Sequence, residues 1–425
     1  MRHSLLFALL FLGAGLLTFS GCIEDRCSAF GVFVKMDPVY ITDAQLAEPI
    51  QLQESRALEN PGKIYVYGQY ILINERYAGL HIIDNSNPEE PVNTGFLNIP
   101  GNVDMAVRNN VLYADNVNDL LAIDVSDMSN PVVAGRVEGV FEDSRFYPYV
   151  DGQGYIIDYV TTSVSEVVSC DDPRFSDDWW FDSNNNFFVA EDIAEASFSN
   201  ASNNSGGTGT GGSMARFTIS QEYLYTVGDA SLNVFNISQA NQPVQTSTVD
   251  LGWGIETIYP YQDKLFVGAR TGMFLFDNSQ PSNPILMSSY SHWNSCDPVV
   301  VEDNIAYVTL RGGTPCDGFV NQLEIIDVED ITAPRLISTW PMDGPYGLAI
   351  RDKVLYLCDG DSGLKVFDVT NPISIDLDSH ITGLDTYDAI SLSNEHLLVV
   401  GSNGLYQFDV SDSESPRIVS IIPVQ

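Results

Sequence analysis

Residues 102–140 read NVDMAVRNNVLYADNVNDLLAIDVSDMSNPVVAGRVEGV, and this stretch decides the fold. Val103, Met105 and Val107 alternate with polar or small neighbours, and Arg108-Asn109-Asn110 supply turn chemistry. Val111 to Ala114 form a second apolar run, Leu120 to Ile123 a third, and Val132 to Val137 a fourth after Pro131. Four short β-like runs separated by turn residues describe one antiparallel four-stranded sheet.

The end of the third run, apolar residues meeting Asp or Asn, recurs along the chain. Copies end at Asp84, Asp124, Asn236, Asp277, Asp327, Asp368 and Asp409, with gaps of 40, 112, 41, 50, 41 and 41 residues. A period of twenty to fifty residues marks a repeat architecture. A four-stranded sheet cannot bury both faces alone, so copies pack radially, and the expected fold is an all-β propeller of four-stranded antiparallel blades. Two residues after the Asp or Asn stands Ser86, Ser126, Ser238, Ser279, Thr370 or Ser411. Seven after it stands Pro91, Pro131, Pro243, Pro284, Pro334 or Pro416. Glu329 and Ile375 depart from this pattern. Asp and Ser accept hydrogen bonds from turn amides, and Pro lacks a donor, which suits an outermost strand. The motif is expected to be a turn device, with no catalytic role.

Within the 112-residue gap, Phe146 to Val150 and Gly154 to Tyr159 match the first two strands of a unit, with a degenerate third near Val164 to Val168. Counting that damaged copy gives eight units, the number favoured; discarding it gives seven. Pro49 to Leu52 is expected to add an outer strand that helps close the ring.

Gly79-Leu80-His81-Ile82-Ile83-Asp84 and Gly363-Leu364-Lys365-Val366-Phe367-Asp368-Val369-Thr370-Asn371-Pro372 resemble the LVIVD-repeat proteins of bacterial envelopes. The resemblance runs from about Lys63 to Gln425. It implies a surface or secreted β-propeller and carries no agreed catalytic residues.

Residues 1–21 read as a targeting segment: Arg2 and His3 precede an apolar run from Leu5 to Phe19, too short for a spanning helix. Phe19-Ser20-Gly21-Cys22 resembles a lipobox, which implies cleavage before Cys22 and lipidation of its thiol. Glu24-Asp25 resembles the export signal of Bacteroidetes-type surface lipoproteins. The expected organisation is a signal peptide over 1–21, a tether over 22–48, and one propeller over 49–425 with an insertion at about 165–213. The address is the cell envelope, through lipid at the outer membrane.

Against 57 Asp and Glu stand 19 Lys and Arg, a formal net charge of −38. Such a chain repels nucleic acid and anionic membrane surfaces and favours a soluble monomer. An envelope location permits disulfides. Cys296 and Cys316 fall on the same face of one blade and are expected to pair. Cys27–Cys170 is a further candidate, and Cys358 reads as a small buried hydrophobe. The insertion begins acidic and aromatic, including Trp179-Trp180. Ser199 to Ser213 is almost wholly Ser, Asn, Gly and Thr, expected to be mobile.

No nucleophile elbow, phosphate-cradling loop or zinc-helix motif occurs. His81, His292, His380 and His396 lie in different copies without metal-ligand spacing. Asp359-Gly360-Asp361-Ser362-Gly363 superficially resembles a calcium loop but occupies a hairpin position, and no metal or other cofactor is expected. Trp253, Trp293 and Trp340 fall where one unit ends and the next begins, with Tyr346 and Tyr387 near the same level. Asp297 and Asp343 stand beside two of these Trp residues. Aromatic faces around a propeller mouth stack on sugars or anchor a protein; the plainer role is to plug the space between blades. The functional expectation is therefore a binding protein taking a protein or glycan on its loop-bearing face. The alternative is a polysaccharide hydrolase or lyase using paired carboxylates such as Asp297 or Asp388.

Overall fold

A computed structural model describes residues 28–141, 148–169, 180–181, 187–190, 210–228, 230–252, 254–291, 298–312 and 320–425. The described chain is almost entirely β, its one helix being the single turn Asp43–Leu46. The chain divides into two compact units, one of residues 1–38 and 159–191, the other of residues 39–158 and 192–425.

The larger unit holds the propeller. Blade I comprises Pro61–Tyr67, Tyr70–Glu75, Gly79–Asp84 and Val92–Asn98; blade II, Met105–Arg108, Val111–Asn116, Asp119–Asp124 and Val132–Val137. Blades III to VII begin at Phe217, Ile255, Val299, Leu348 and Thr386 and end at Asp250, Ser291, Pro341, Ile381 and Pro423. In each, the strands pair in sequence order. Alternation puts Leu112, Leu265, Leu355 and Leu397 into continuous apolar layers between sheets. Burial of each such side chain contributes roughly 1.5–3 kcal/mol.

Among the described residues eight antiparallel sheets are present, the number of units favoured above, and the blades make seven of them. The eighth has five strands, including the hairpin of Tyr149–Val150 with Gly154–Ser169. Within the larger unit, blade II packs directly on blade III. The Tyr113 hydroxyl donates to the Ala240 carbonyl (2.9 Å), and Leu112, Ile123, Leu224 and Phe235 share one core. The alternative count of seven thus describes the four-stranded blades, and eight describes the sheets.

All seven Asp/Asn motifs do what their chemistry suggested. The side chains of Asp84, Asp124, Asn236, Asp277, Asp327, Asp368 and Asp409 each accept the backbone N–H two residues on, at 2.7–3.0 Å. Glu329 is harmless at its position because the bond uses its backbone amide. A bulge interrupts every fourth strand at the same level and re-aims the residue that follows. That residue is Ser247, Ser288, Ser338, Ser379 and Ser420 in blades III to VII. Each hydroxyl donates to a carbonyl in the motif turn of the next blade: Ser282, Ile331, Pro372, Ser413 and Pro88. The last of these joins blade VII to blade I and closes the ring.

The expected outer strand exists: Leu52–Gln53 pairs with Leu97 and Phe96 on the edge of blade I, and Leu58 bridges Val424. Two expectations are corrected. The region expected as a tether contains a 14-residue strand, Ser28–Ile41, whose residues 33–36 pair with Phe187–Ala190 of the insertion. And the end of the Ser/Gly/Thr stretch is ordered. Thr210 and Gly211 pair with Val66 and Tyr65 on the inner strand of blade I. The Ser213 hydroxyl then accepts the Leu348 N–H of blade VI (2.9 Å) and donates to Asp388 of blade VII (3.4 Å). The Ala215 carbonyl accepts the Ile258 N–H of blade IV, and the Arg216 N–H reaches Asp104 of blade II. Residues 210–216 therefore cross the ring axis and plug it. Small side chains suit this path, because only a thin segment fits where the inner strands converge. Residues 199–209 lie outside the described residues.

Candidate functional site

In each blade the link into the first strand and the turn between second and third strands lie on one face, and the first hairpin lies on the other. On the first face, blades V, VI and VII enclose a cavity of about 410 Å³. Arg311, Gly312 and Asn321 come from blade V, Asp359 to Ser362 from the blade VI turn, Asp343, Gly344, Tyr346 and Asp385 from the two links, and Tyr387 from the first strand of blade VII.

An ion pair organises the wall. Lys365 bonds Asp359 and, at 3.0 Å, Asp343. Burial pulls the Lys365 ammonium down, but its bonds to Asp359 and Asp343 outweigh that and hold it above its ordinary value. Asp359 also accepts the Gly344 N–H (2.8 Å) and the Asp343 N–H (3.1 Å). Asp343 accepts the Ser362 hydroxyl (2.8 Å), the leading reason its carboxyl titrates below the usual range, with Lys365 adding to it. The loop Asp359 to Gly363 is a hairpin turn between the second and third strands of blade VI, and Lys365 bonds its first carboxylate. Among the described residues no cluster of His, Cys, Asp and Glu suits a metal ion.

The aromatic part is a pair. Tyr346 and Tyr387 meet edge to face with centroids 5.2 Å apart. The Arg311 guanidinium lies 3.8 Å from the Tyr346 centroid, a cation–π contact in a partly desolvated site. Tyr387 donates to Asp385 (2.6 Å); burial first, then that carboxylate, raises its phenol. Gly360, at φ +55, is required here: a Cβ would stand 3.1 Å from the Tyr346 ring.

Of the residues singled out in the sequence, Asp343, Tyr346 and Tyr387 converge in this cavity. Trp340 does not line it; it sits half-buried on the outer strand of blade V, its indole N–H donating to Ser338 (3.3 Å). Cys22, Trp179, Trp253, Trp293, Cys296, Asp297 and Cys316 lie outside the described residues, as does the side chain of Trp180; the expected Cys296–Cys316 pair falls there. Cys358 is a fully buried free thiol. His81 is a packed core residue bonded to Glu75 (2.9 Å). Asp388 is buried, accepting the Ala389 N–H (2.9 Å) and facing Ser213; burial holds its carboxyl well above the usual range. Ser213 and Gly347 cover it. Sequence reasoning missed Arg311, Asp385 and Lys365. The signal available was position: Arg311 and Asp385 fall at a second-to-third-strand turn and a blade link, and Lys365 stands at the start of the third strand just after such a turn.

A crystal structure of a Lactobacillus plantarum protein is similar at a TM-score of 0.51 and 13% identity, covering 86% of this chain and 97% of its own. The computationally designed protein Ika8 is similar at a TM-score of 0.50 and 9% identity, covering 87% and 89%. Periplasmic gluconolactonase of Pseudomonas aeruginosa follows at 0.48 and 11%, covering 86% and 97%. These likenesses concern the fold alone. No curated protein sequence matches the chain. The LVIVD repeat matches residues 61–98, 102–138 and 264–292, which are blade I, blade II and the second to fourth strands of blade IV. The chain is a β-propeller that carries LVIVD repeats in three of its blades.

Proposed function

We propose that the chain is a non-catalytic binding protein of the bacterial cell surface, held by lipid on Cys22, that takes a glycan at the mouth formed by blades V, VI and VII. The Tyr346–Tyr387 pair at the polar mouth cavity carries this reading. Tyrosine rings supply apolar surface for sugar faces, and carboxylates accept from sugar hydroxyls. Asp361 is exposed at the rim and Asp343 keeps 70% of its side chain exposed, so both present acceptor oxygens to solvent. Arg311, stacked on Tyr346, adds positive charge beside the pair.

Catalysis by Asp388 is disfavoured by its burial, with Ser213 and Gly347 packed against its carboxylate. The lipid anchor rests on the sequence around Cys22, and a tethered propeller would present its mouth to extracellular polymers.

The test is a glycan array probed with the wild-type protein and with Tyr387→Ala. Binding that falls at least tenfold in the variant, with an unchanged unfolding temperature, supports the reading. Equal binding by both proteins, or binding only to proteins from a lysate, sinks it. Labelling with radioactive palmitate, lost on Cys22→Ala, tests the anchor separately.

A further inference from the structure

The axial plug divides the ring, and below it lies a blind well of about 340 Å³. Gly212 and Ser213 close its inner end. Its walls are the inner strands of blades III to VII, mainly Ile219, Tyr259, Val300, Leu348 and Ile390. At the hairpin end stand Ser220, Tyr261, Gln262, Glu302 and Ser391. The well therefore opens on the face opposite the mouth. Apolar side chains along the inner strands and polar groups at the plug and rim line it in about equal measure, and its volume is that of a small-molecule site.

Among the described residues the lining carries one charged residue, Glu302. Its carboxylate is fixed at the rim by the backbone N–H groups of Asp352 and Lys353, both at 2.9 Å. The neighbouring cations are turned to other partners. Arg351 donates to the Ser391 hydroxyl and carbonyl (2.9 Å each), and the Lys353 ammonium bonds Asp303. Tyr259 and Tyr261 add aromatic surface. A concave recess in a chain of net charge −38 concentrates cations.

We propose that this well is a second binding site, independent of the mouth, for a small organic cation with an aromatic or short alkyl body. The body fills the recess against Ile350, Ile390 and the tyrosines, and the ammonium group faces Glu302 at the rim.

Calorimetric titration of the purified protein with 2-phenylethylamine and with phenylacetate tests this, since the two share a ring and carry opposite charges. The amine is expected to bind one site at least tenfold more tightly than the acid, with the advantage shrinking as salt rises. Ile350→Trp, which fills a half-buried wall position, abolishes amine binding, and Glu302→Gln brings amine and acid to within about threefold. Circular dichroism melts confirm that both variants fold. Equal affinity for amine and acid in the wild-type protein, no binding of either, or amine binding that survives a folded Ile350→Trp overturns the proposal. Tyr387→Ala leaves amine binding unchanged, so failure here and failure of the mouth reading are distinguishable.

Discussion

The Ser420 hydroxyl donates to the Pro88 carbonyl at 2.7 Å across 332 residues of sequence. It is the closing member of a series in which a serine just after the fourth-strand bulge reaches the next blade's motif turn. Blade VII thereby treats blade I as its successor, and the ring needs no separate closing device beyond the Leu58–Val424 bridge and the shared core of Ile73, Ile83, Leu398 and Ile422.

Ser420→Ala is expected to lower unfolding free energy by about 1 kcal/mol, the ordinary net value of one hydrogen bond. Ser338→Ala, inside the series, should cost about the same. Urea unfolding measures both. A cost at Ser420 several times that at Ser338 would mean that closure depends on this bond in a way the repeated geometry does not suggest.

Blade II breaks the series with Gly135. A repeat consensus would place serine there, but a Cβ at Gly135 would stand 2.1 Å from the Asn241 carbonyl oxygen. Gly135→Ser should therefore destabilise by roughly 2 kcal/mol through overpacking against backbone. A neutral or stabilising result in denaturant unfolding would show that blades II and III can separate slightly without loss.

The strand order, turn motif and added outer strand were legible because each rests on local pattern. Period-2 alternation, turn residues and Pro after the Asp turn act within one copy. The bulge-following serine is just as regular in the sequence, yet it has no meaning until the neighbouring blade's turn carbonyl is in place. The plug was misread for a related reason. A Gly/Ser/Thr segment reads as mobile when judged by composition, while its partners, Tyr65, Leu348 and Asp388, are scattered along the chain. In the candidate site Tyr346 and Tyr387 were readable as aromatics near a blade link. Arg311 was not, because its stacking on Tyr346 joins separate segments.

Lys365 neutralises the fully buried side chain of Asp359. Lys365→Met leaves that carboxylate without its partner and should cost on the order of 3 kcal/mol. Asp359→Asn added to Lys365→Met should recover most of the loss, as a double-mutant cycle by chemical denaturation would reveal. Equal losses in the single and double variants would assign the effect to packing of the lysine stem.

The motif carboxylates titrate low in the folded chain, chiefly through bonds from the residue two positions on, and Asp409 falls to about 2. A depressed folded value means that the unfolded chain binds more protons, so this stability is present above about pH 4 and is lost as pH falls toward 2. Asp409→Asn keeps the acceptor, as Asn236 does naturally, and should flatten the acid limb of a stability–pH curve. An unchanged acid limb would place the acid sensitivity elsewhere.

Asp115 works in the opposite sense. Its carboxyl is buried against Asn102 and the amides of Val103 and Asp104, and burial pushes it up to about 7. Its value in the unfolded chain is about 4, so between about pH 4 and 7 the native state binds the extra proton and stability falls as pH rises. Above about 7 both states are ionised and the slope from this group vanishes. Asp115→Asn, which cannot titrate, should remove that decline and leave a flatter profile across the window. Unfolding free energies for both proteins at pH 4.5, 6 and 7.5 provide the check, and parallel curves for wild type and variant would show that Asp115 ionises at its ordinary value in the folded chain.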